Sequence, residues 1–244
     1  MVSALYTAAA GMEAQQNHLD QVANDLANVS TTGYKSLRVG FHDLVYQLEG
    51  RGAGPGVMTG AGAASGVIGR NPTQGALIPT ERPLDVALEG PGFIQVRGPG
   101  GEVALTRDGD LQVNADGYLQ TSSGQLLQPP IKVPKGVEEG EISIASNGTV
   151  SAAGRRLGQI SVVAVTNPDG LQPVGENVFR PTAASGPVGA AGGTALQQGA
   201  LEASNVDMAD ASVEMMNAQR GYELDSRVIQ TQDEVLAVAN GIKQ

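Results

Sequence analysis

Apolar side chains recur at seven-residue spacing near both ends of the chain. Residues 5–29 carry two interleaved sets at this spacing, Leu5, Met12, Leu19 and Leu26 in one and Ala8, Val22 and Val29 in the other, with Gln15 as the polar exception. Near the C-terminus, steps of four and three join Leu224, Val228, Thr231, Val235, Val238 and Ile242. A stripe of two residues in seven is typical of a coiled-coil seam. Each terminal helix is therefore expected to need a partner, either the other end of the chain or another copy.

Local signals predict where these helices begin and end. Ser3 is a plausible N-cap for the first helix, and Gly33 is a plausible stop. Residues 204–207 match a capping box, with an acid three residues after Ser204, and this predicts the start of the last helix. The apolar positions around Met216 are offset by four residues from those that follow Leu224, a stutter that locally unwinds a supercoil.

The middle of the chain has a β pattern. Between Pro83 and about Arg180, apolar and polar residues alternate, and runs such as 93–96 and 160–165 are rich in strand-forming residues. Turn dipeptides at 108–109, 116–117, 147–148 and 169–170 separate these runs and predict turns between strands. No helical pattern separates the strands, which disfavours a parallel sheet. We expect an α+β fold in which the terminal helices pair as a coiled coil around an inserted, irregular antiparallel β domain.

Composition divides the chain into five expected segments. Two stretches rich in small residues are interpreted as connectors, and the first of them, around 50–66, has little side chain to pack and suits either an extended connector or a flexible loop. The segments are an N-terminal helix at 1–34, a Gly-rich connector at 35–80, the β domain at 81–183, a second connector at 184–203 and a C-terminal helix at 204–244.

Charge and composition exclude several classes of function. The 244 residues carry a net charge of −10 with scattered Lys and Arg, so a nucleic-acid partner is not expected. The absence of Cys removes disulfides, thiolate metal sites and cysteine nucleophiles. No apolar run approaches the length of a membrane-spanning helix, and the first residues lack the basic start of a secretory signal. We expect no direct membrane insertion and no cleavable signal.

The sequence gives little indication of a catalytic site. His18 and His42 are the only histidines, and neither has a metal-ligand partner at helical spacing. Residues 52–66 match no phosphate-binding glycine motif. Asp108-Gly109-Asp110 resembles the start of a calcium loop but lacks the required acid further on, and a hairpin turn is preferred. No catalytic, cofactor-binding or metal residue is predicted, although a pair of carboxylates of the glycosidase type remains open.

Motifs at both ends and in the middle resemble one family. Residues 24–35 are similar to the signature that ends the first helix of bacterial flagellar rod and hook proteins, with Asp25 in place of the usual second Asn. Residues 201–207 and 216–223 resemble the family's C-terminal motifs, with Gly221 in place of the usual Ala. Residues 82–93 and 106–109 are similar to its β-domain landmarks, so the resemblance covers the whole chain. Within the family, residues 174–179 and 219–223 most resemble the distal-rod subfamily, with the proximal-rod subfamily second.

The resemblance implies a structural subunit rather than an enzyme. Such a subunit is exported without a cleavable signal to the flagellar basal body. It forms a helical homopolymer and contacts other rod and hook subunits and the rings around the rod. No cofactor is implied. The residues expected to pack between helices or subunits are Leu5, Met12, Leu19, Val22, Asn24, Leu26, Asn28, Met216, Gln219, Arg220, Leu224, Val228 and Val235. The alternative for the apolar members is ordinary intramolecular core, and for Asn24 and Asn28 it is local capping.

Two functions from other classes stay open at this point. One is a secreted β-domain enzyme acting on cell-wall glycan, for which a carboxylate such as Asp108 would be needed. The other is a soluble adaptor whose two helices form a stable monomeric hairpin. A further hypothesis is that residues 36–75, with apolar side chains such as Phe41 and Leu44, dock on neighbouring subunits, and that deleting 47–66 would soften or abort a rod.

Overall fold

The computed structural model describes residues 2–44, 47–49, 57–60, 62–98 and 100–241. Two long helices, α1 (Val2–Ala27) and α2 (Met208–Gly241), lie at the ends of the chain, and short strands occupy the sequence between them. The predicted α+β class is confirmed. The contacts group the chain into two compact units. Unit 1 comprises Met1–Ala27, Leu37–Gly69 and Asp207–Gln244, and unit 2 comprises Asn28–Ser36 and Arg70–Val206.

The strands are short, and most have three to five residues. They are β1 (Leu37–Asp43), β2 (Gln47–Glu49), β3 (Val57–Thr59), β4 (Ala63–Arg70), β5 (Leu77–Pro79), β6 (Val86–Glu89), β7 (Phe93–Arg97), β8 (Val103–Thr106), β9 (Leu111–Val113), β10 (Leu119–Thr121), β11 (Ile142–Ile144), β12 (Thr149–Ala152), β13 (Arg155–Gln159), β14 (Val162–Val165), β15 (Gln172–Gly175), β16 (Val178–Arg180), β17 (Val188–Ala190), β18 (Ala195–Gln198) and β19 (Ala200–Glu202).

Unit 1 combines the two helices with a β ribbon. Strand β1 pairs with β4, and β2 pairs antiparallel with β3. The ribbon lies against α1, where the Ser65 hydroxyl donates to the Ala14 carbonyl at 2.8 Å and the His18 and Phe41 rings meet edge to face. Residues 35–80 were expected to be a connector, but the structure places β1 to β5 in this segment. The part of that prediction that concerns residues 45–46, 50–56 and 61 lies outside the described residues.

Unit 2 is an antiparallel β domain with its own core. Its largest sheet has the strand order β15-β16-β8-β7-β14-β17, and β11-β12-β13 form a second sheet. Three two-stranded pairs, β9-β10, β6-β18 and β5-β19, complete the unit. Large aliphatic side chains such as Leu88, Ile94 and Leu119 are fully buried in one cluster. The inserted antiparallel β domain is confirmed, and the segment 184–203, expected to be a connector, contributes β17, β18 and β19 to it.

Two of the four predicted turns join strands that pair with each other. Residues 116–117 lie between β9 and β10, and residues 147–148 lie between β11 and β12. The hairpin predicted at 108–109 is wrong, because β8 and β9 belong to different sheets. A turn does occur at 169–170, in the 3-10 helix Pro168–Gly170, and it leads from β14 to β15, which are not neighbours. At 108–109 the chain instead turns toward β6, and the Val86 N–H donates to the Gly109 carbonyl at 3.0 Å. The turn dipeptides correctly predicted where the chain turns. They did not predict which strands pair, because pairing depends on residues that are distant in sequence.

The helix limits differ from the predicted ones. The first helix already includes Ser3 and ends at Ala27, six residues before Gly33. The N-cap of α2 is Asp207, whose carboxylate accepts from the Ala209 and Asp210 N–H groups at 2.8 and 3.2 Å. Ser204 does not serve as that cap, since its hydroxyl accepts from the Val206 N–H. Asp207 is itself a favourable N-cap residue, and it lies three residues after the predicted cap, Ser204.

A buried carboxylate ties together the ends of unit 2. Glu202, whose side chain is 0% exposed, accepts from Lys35 Nζ at 2.5 Å, from the Gly75 N–H at 3.0 Å and from Arg107 Nε at 3.0 Å. Its own carbonyl accepts from the Gly33 N–H at 2.8 Å. We call Lys35, Arg107 and Glu202 the charge clamp. Burial lowers the pKa of Lys35, and the hydrogen bond and charge of Glu202 oppose this.

Asn205 reinforces the same junction. Its side-chain oxygen accepts from the Ser36 N–H at 2.8 Å, and its amide donates to the carbonyls of Asn71 and Thr73 at 3.1 and 3.0 Å. The Asn205 N–H also donates to the Tyr34 carbonyl. The segment that follows α1 in sequence and the segment that precedes α2 are therefore held to one another inside unit 2.

Glu202→Gln should destabilise unit 2 by about 3–5 kcal/mol, because it leaves the buried cations of Lys35 and Arg107 without a counter-charge. Urea unfolding measures the loss. The matched control is Glu141→Gln, which removes a carboxylate from an exposed residue and should change stability by less than about 0.5 kcal/mol. Equal unfolding free energies for the two variants would contradict a structural role for the clamp.

Gly33→Ala should cost more stability than Gly124→Ala. Both glycines have positive φ, 64° and 91°, and each substitution carries the strain of that backbone region. At Gly33 the new Cβ would also lie 2.5 Å from the Arg107 carbonyl oxygen, whereas at Gly124 nothing lies within 4 Å. We expect a difference of about 1–3 kcal/mol in unfolding free energy. Indistinguishable denaturation curves would show that the backbone at Gly33 can move away.

Candidate assembly surface

The helices of unit 1 pack antiparallel through small side chains. An ideal Cβ on Gly11 would lie 2.7 Å from the Asp225 carboxylate, and one on Gly221 would lie 2.9 Å from the Gln15 amide. From Gly11 to Gln15 the residue numbers rise along α1, while those of their partners on α2 fall from Asp225 to Gly221. The two helices are therefore antiparallel. The predicted pairing of the terminal helices is therefore confirmed.

The buried positions of this pair are mostly alanine. On α1, Leu5, Met12, Leu19 and Leu26 are half-buried. The apolar side chains of unit 1 that are fully buried, among the described residues, are Ala8, Ala14, Val22, Ala211 and Ala218. None of the large fully buried side chains of the described residues belongs to this unit. The helix pair thus gains little from apolar burial.

The face that α2 turns toward α1 differs from the expected seam. Asp225, Ile229 and Leu236 are half-buried, and each follows directly after a predicted seam residue. A shift of one residue rotates a position by about 100° around a helix. The residues that α2 turns toward α1 are therefore not the predicted seam residues, and packing of those seam residues between copies stays a prediction. Small side chains on α1 allow close approach only where α2 also presents small side chains such as Ala218 and Gly221.

The predicted α2 residues lie on exposed surface. Met216, Leu224, Val228 and Val235 are 49%, 62%, 51% and 50% exposed, and Val238 is 64% exposed. Gln219 and Arg220 are exposed as well. We call the apolar residues Met216, Leu224, Val228, Val235 and Val238 the α2 stripe. Intramolecular pairing through this stripe is not observed, and its role in contacts between copies stays a prediction.

Exposed apolar side chains concentrate in unit 1. Of the fifteen large hydrophobic side chains that are exposed among the described residues, twelve belong to this unit. Besides those on α2, they include Tyr6 on α1 and Phe41, Val67 and Ile68 on the β ribbon. Soluble monomers rarely expose this much apolar surface on one unit, and such surfaces mark interaction sites.

Polar residues of the N-terminal motif lie at or just after the end of α1. Asn28 accepts from the Thr31 hydroxyl at 3.1 Å, Asn24 is exposed, and their packing between helices or subunits stays a prediction. Asp25, which replaces the usual Asn, is buried, and its carboxylate accepts from the Leu37 N–H at 3.1 and 3.2 Å. Sequence reasoning missed this role, although the departure from the motif was a signal. It also missed Lys35 and Glu202, two charged residues that lie within the terminal motifs.

Asp108 lies in a polar groove of unit 2, where hydrogen bonds to neighbouring groups occupy its carboxylate. Its carboxylate accepts from the Thr32 hydroxyl at 2.7 Å, from the Asp110 N–H at 3.1 Å and from the Ser122 hydroxyl at 3.3 Å. Burial raises the pKa of Asp108 above its usual range. The described residues contain no group of acids and histidines arranged to hold a metal ion. They also contain no helix that is both long and apolar enough to cross a bilayer.

Three family models match the chain in order. Residues 5–35 match the flagella basal body rod protein model, residues 87–152 match the D1 domain of the flagellar hook protein FlgE/F/G, and residues 197–242 match the C-terminal model of flagellar basal body rod FlgEFG proteins. The chain is 39% identical over 264 aligned residues to the flagellar basal-body rod protein FlgG of Borreliella burgdorferi, with all of both chains covered.

This chain belongs to the flagellar basal-body rod protein family. It is also 36% identical to FlgG of Bacillus subtilis, with both chains fully covered, and 35% identical to FlgG of Caulobacter vibrioides, with 99% of this chain and all of the relative covered. These relatives are rod proteins, and a glycan-cleaving enzyme finds no support among them. The rod-family motifs coincide with the helix pair and with the charge clamp, since Lys35 and Glu202 lie inside the two terminal model matches.

Asp108→Asn should remove a pH dependence of stability in this rod-family protein. A carboxyl whose pKa is raised on folding stabilises the fold fully below its unfolded pKa, and this contribution is lost as pH rises through the folded pKa. The asparagine oxygen can still accept from Thr32 and Asp110. The unfolding free energy of the wild type, relative to the variant, should therefore fall as pH rises from the ordinary carboxyl range toward neutrality. Urea denaturation across that range tests this, and a difference that stays constant or grows with pH would refute it.

Proposed function

We propose that this chain is a structural subunit of the flagellar distal rod that assembles with copies of itself into a helical polymer. The observation that carries the proposal is the composition of unit 1. Its helices bury alanines against each other and leave Leu224, Val228 and Val235 exposed. Since ordering a helical segment costs conformational entropy, so little burial favours helices that gain their stability on assembly. The relatives named FlgG at 35–39% identity support the distal rod over the proximal rod.

The setting of this subunit is proposed from the same family. It would lie in the basal body, reach it by flagellar export without a cleavable signal, and contact other rod and hook subunits and the surrounding rings. Its work would be mechanical, transmission of torque, with no catalytic step. The exposed Phe41, Val67 and Ile68 of the β ribbon support contacts of residues 36–75 with neighbouring copies.

Leu224→Ser should impair assembly without altering the monomer. The side chain is already 62% exposed, so the helix content of the dilute chain should fall only by the small difference in helix propensity between leucine and serine. Loss of its burial between copies should raise the concentration needed for polymerisation by about tenfold or more. Circular dichroism measures the helix content, and sedimentation velocity and electron microscopy measure the assembly.

The matched control is Val103→Ser, which removes an exposed apolar side chain, 39% exposed, from unit 2. It should polymerise like the wild type. Unchanged assembly of Leu224→Ser would remove the α2 stripe from the subunit contacts. A wild-type chain that stays monomeric at high concentration, with its terminal amides protected from exchange, would support the adaptor alternative instead.

A further inference from the structure

A small cavity inside unit 2 is bordered by cationic and aromatic side chains. It measures about 90 Å³ and lies among Lys35, Arg70, Arg107, Phe93, Phe179 and Leu171. A water molecule occupies about 30 Å³ of liquid, so the space suits a group of a few heavy atoms and is too small for a nucleotide. The helix pair does not form part of it.

Positive charge is in excess around this cavity. Lys35 and Arg107 have side chains that are only 7% and 6% exposed, and Glu202 is the carboxylate that they share. Arg70 adds a third cation, and the Asp169 carboxylate accepts from the Arg70 backbone N–H at 3.0 Å. This cluster of three cations contrasts with the whole chain, in which 25 acidic residues outnumber 15 basic ones. Burying cations without sufficient counter-charge is unfavourable, and an anion would relieve it.

Aromatic rings hold both guanidinium groups in place. Arg70 Cζ lies 5.1 Å from the centre of the Phe179 ring and 5.9 Å from that of Tyr34, and Arg107 Cζ lies 5.8 Å from that of Phe93. Cation–π attraction at these distances restrains a guanidinium group, whose N–H groups can still donate hydrogen bonds.

Several of these N–H groups have no protein acceptor in the part of the chain that the structure describes. Arg70 donates through Nη1 to the Lys35 carbonyl at 3.1 Å, which leaves Nε and Nη2. Arg107 donates through Nε to Glu202 and through Nη2 to the Gly90 carbonyl, which leaves Nη1. Guanidinium edges with free donors match the oxygens of phosphate and carboxylate groups.

We propose that this cavity is a binding site for a small oxyanion, a phosphate or carboxylate group, held by Arg70 and Arg107. The apolar wall of Phe93, Phe179 and Leu171 shields the anion from water and strengthens its attraction to the two guanidinium groups. The oxyanion can come from two sources. It is either a free anion or a carboxylate side chain of a second copy of this acidic protein.

Titration of the dilute chain with inorganic phosphate, at constant ionic strength maintained with chloride, tests the site directly. Calorimetry should give saturable binding of one phosphate per chain, and the thermal midpoint should rise with phosphate concentration. Arg70→Gln should weaken the phosphate affinity by about tenfold or more. Arg70→Lys keeps the charge but loses the planar fork, and it should also bind more weakly.

The matched control is Arg97→Gln, which removes the same charge from an exposed residue of β7 and should bind phosphate like the wild type. Phosphate affinity that is equal in the wild type, Arg70→Gln and Arg97→Gln would mean diffuse attraction to surface charge and would overturn the proposal. Acetate, titrated in the same way, serves as a carboxylate probe. If neither phosphate nor acetate binds the wild type, and phosphate does not compete in the assembly measurement described next, the proposal is also overturned.

Polymerisation distinguishes the two sources, and this arm alone rests on the proposed function. If a neighbour's carboxylate fills the cavity, phosphate should inhibit assembly of the wild type, and Arg70→Gln should assemble more weakly than Arg97→Gln. If the ligand is a free anion, phosphate should bind the dilute chain and leave assembly unchanged. A wild-type chain that binds phosphate but never polymerises would support the site and contradict the proposed function. Absence of both phosphate binding and competition would contradict the site alone.

Discussion

Close packing of α1 against α2 depends on small side chains at their contact. A Cβ on Gly11 would displace the Asp225 carboxylate, one on Gly221 would displace the Gln15 amide, and alanines occupy most of the buried positions of the pair. The two antiparallel helices can therefore approach closely, but their pairing removes little apolar surface from water. Leu224 and Val228 lie off this contact and remain exposed, whereas Ile229 and Leu236 are half-buried. A helix pair of this kind is stable mainly when further apolar surface covers it, which accounts for an assembly subunit rather than a self-sufficient monomer.

Unit 2 is stabilised in a different way. It has a conventional core of fully buried aliphatic side chains, and its chain entry and exit are joined by the buried Glu202 with Lys35 and Arg107. Removing one partner from such a cluster is far more damaging than removing a surface ion pair, because the remaining charges have lost their solvation. The segments that adjoin both helices in sequence are thus anchored in a unit that needs no partner for its own core.

Much of the fold was predictable because its signals are local. Heptad spacing predicted both helices, strand-forming runs predicted strands of the middle such as β7 and β14, and the turns at 116–117 and 147–148 were predicted from their dipeptides. The errors were non-local. The phase of α2 depends on what α1 presents to it, and the α2 stripe is the more apolar of two heptad sets on one helix. Sequence reasoning therefore chose the stripe, whereas steric fit selected the set that contains Ala218 and Ile229.

The amino-acid sequence by itself determined the family, the α+β class, the period of the terminal helices and the absence of cysteine chemistry, since each follows from residue identity or short-range spacing. Only the tertiary structure decided which helix faces meet, which strands pair, and that residues as distant as Lys35 and Glu202 share one buried hydrogen bond. The physical reason is that burial and pairing are properties of two surfaces together. The residues of a segment determine whether it forms a helix or a strand. The segment that packs against it determines which of its faces is buried.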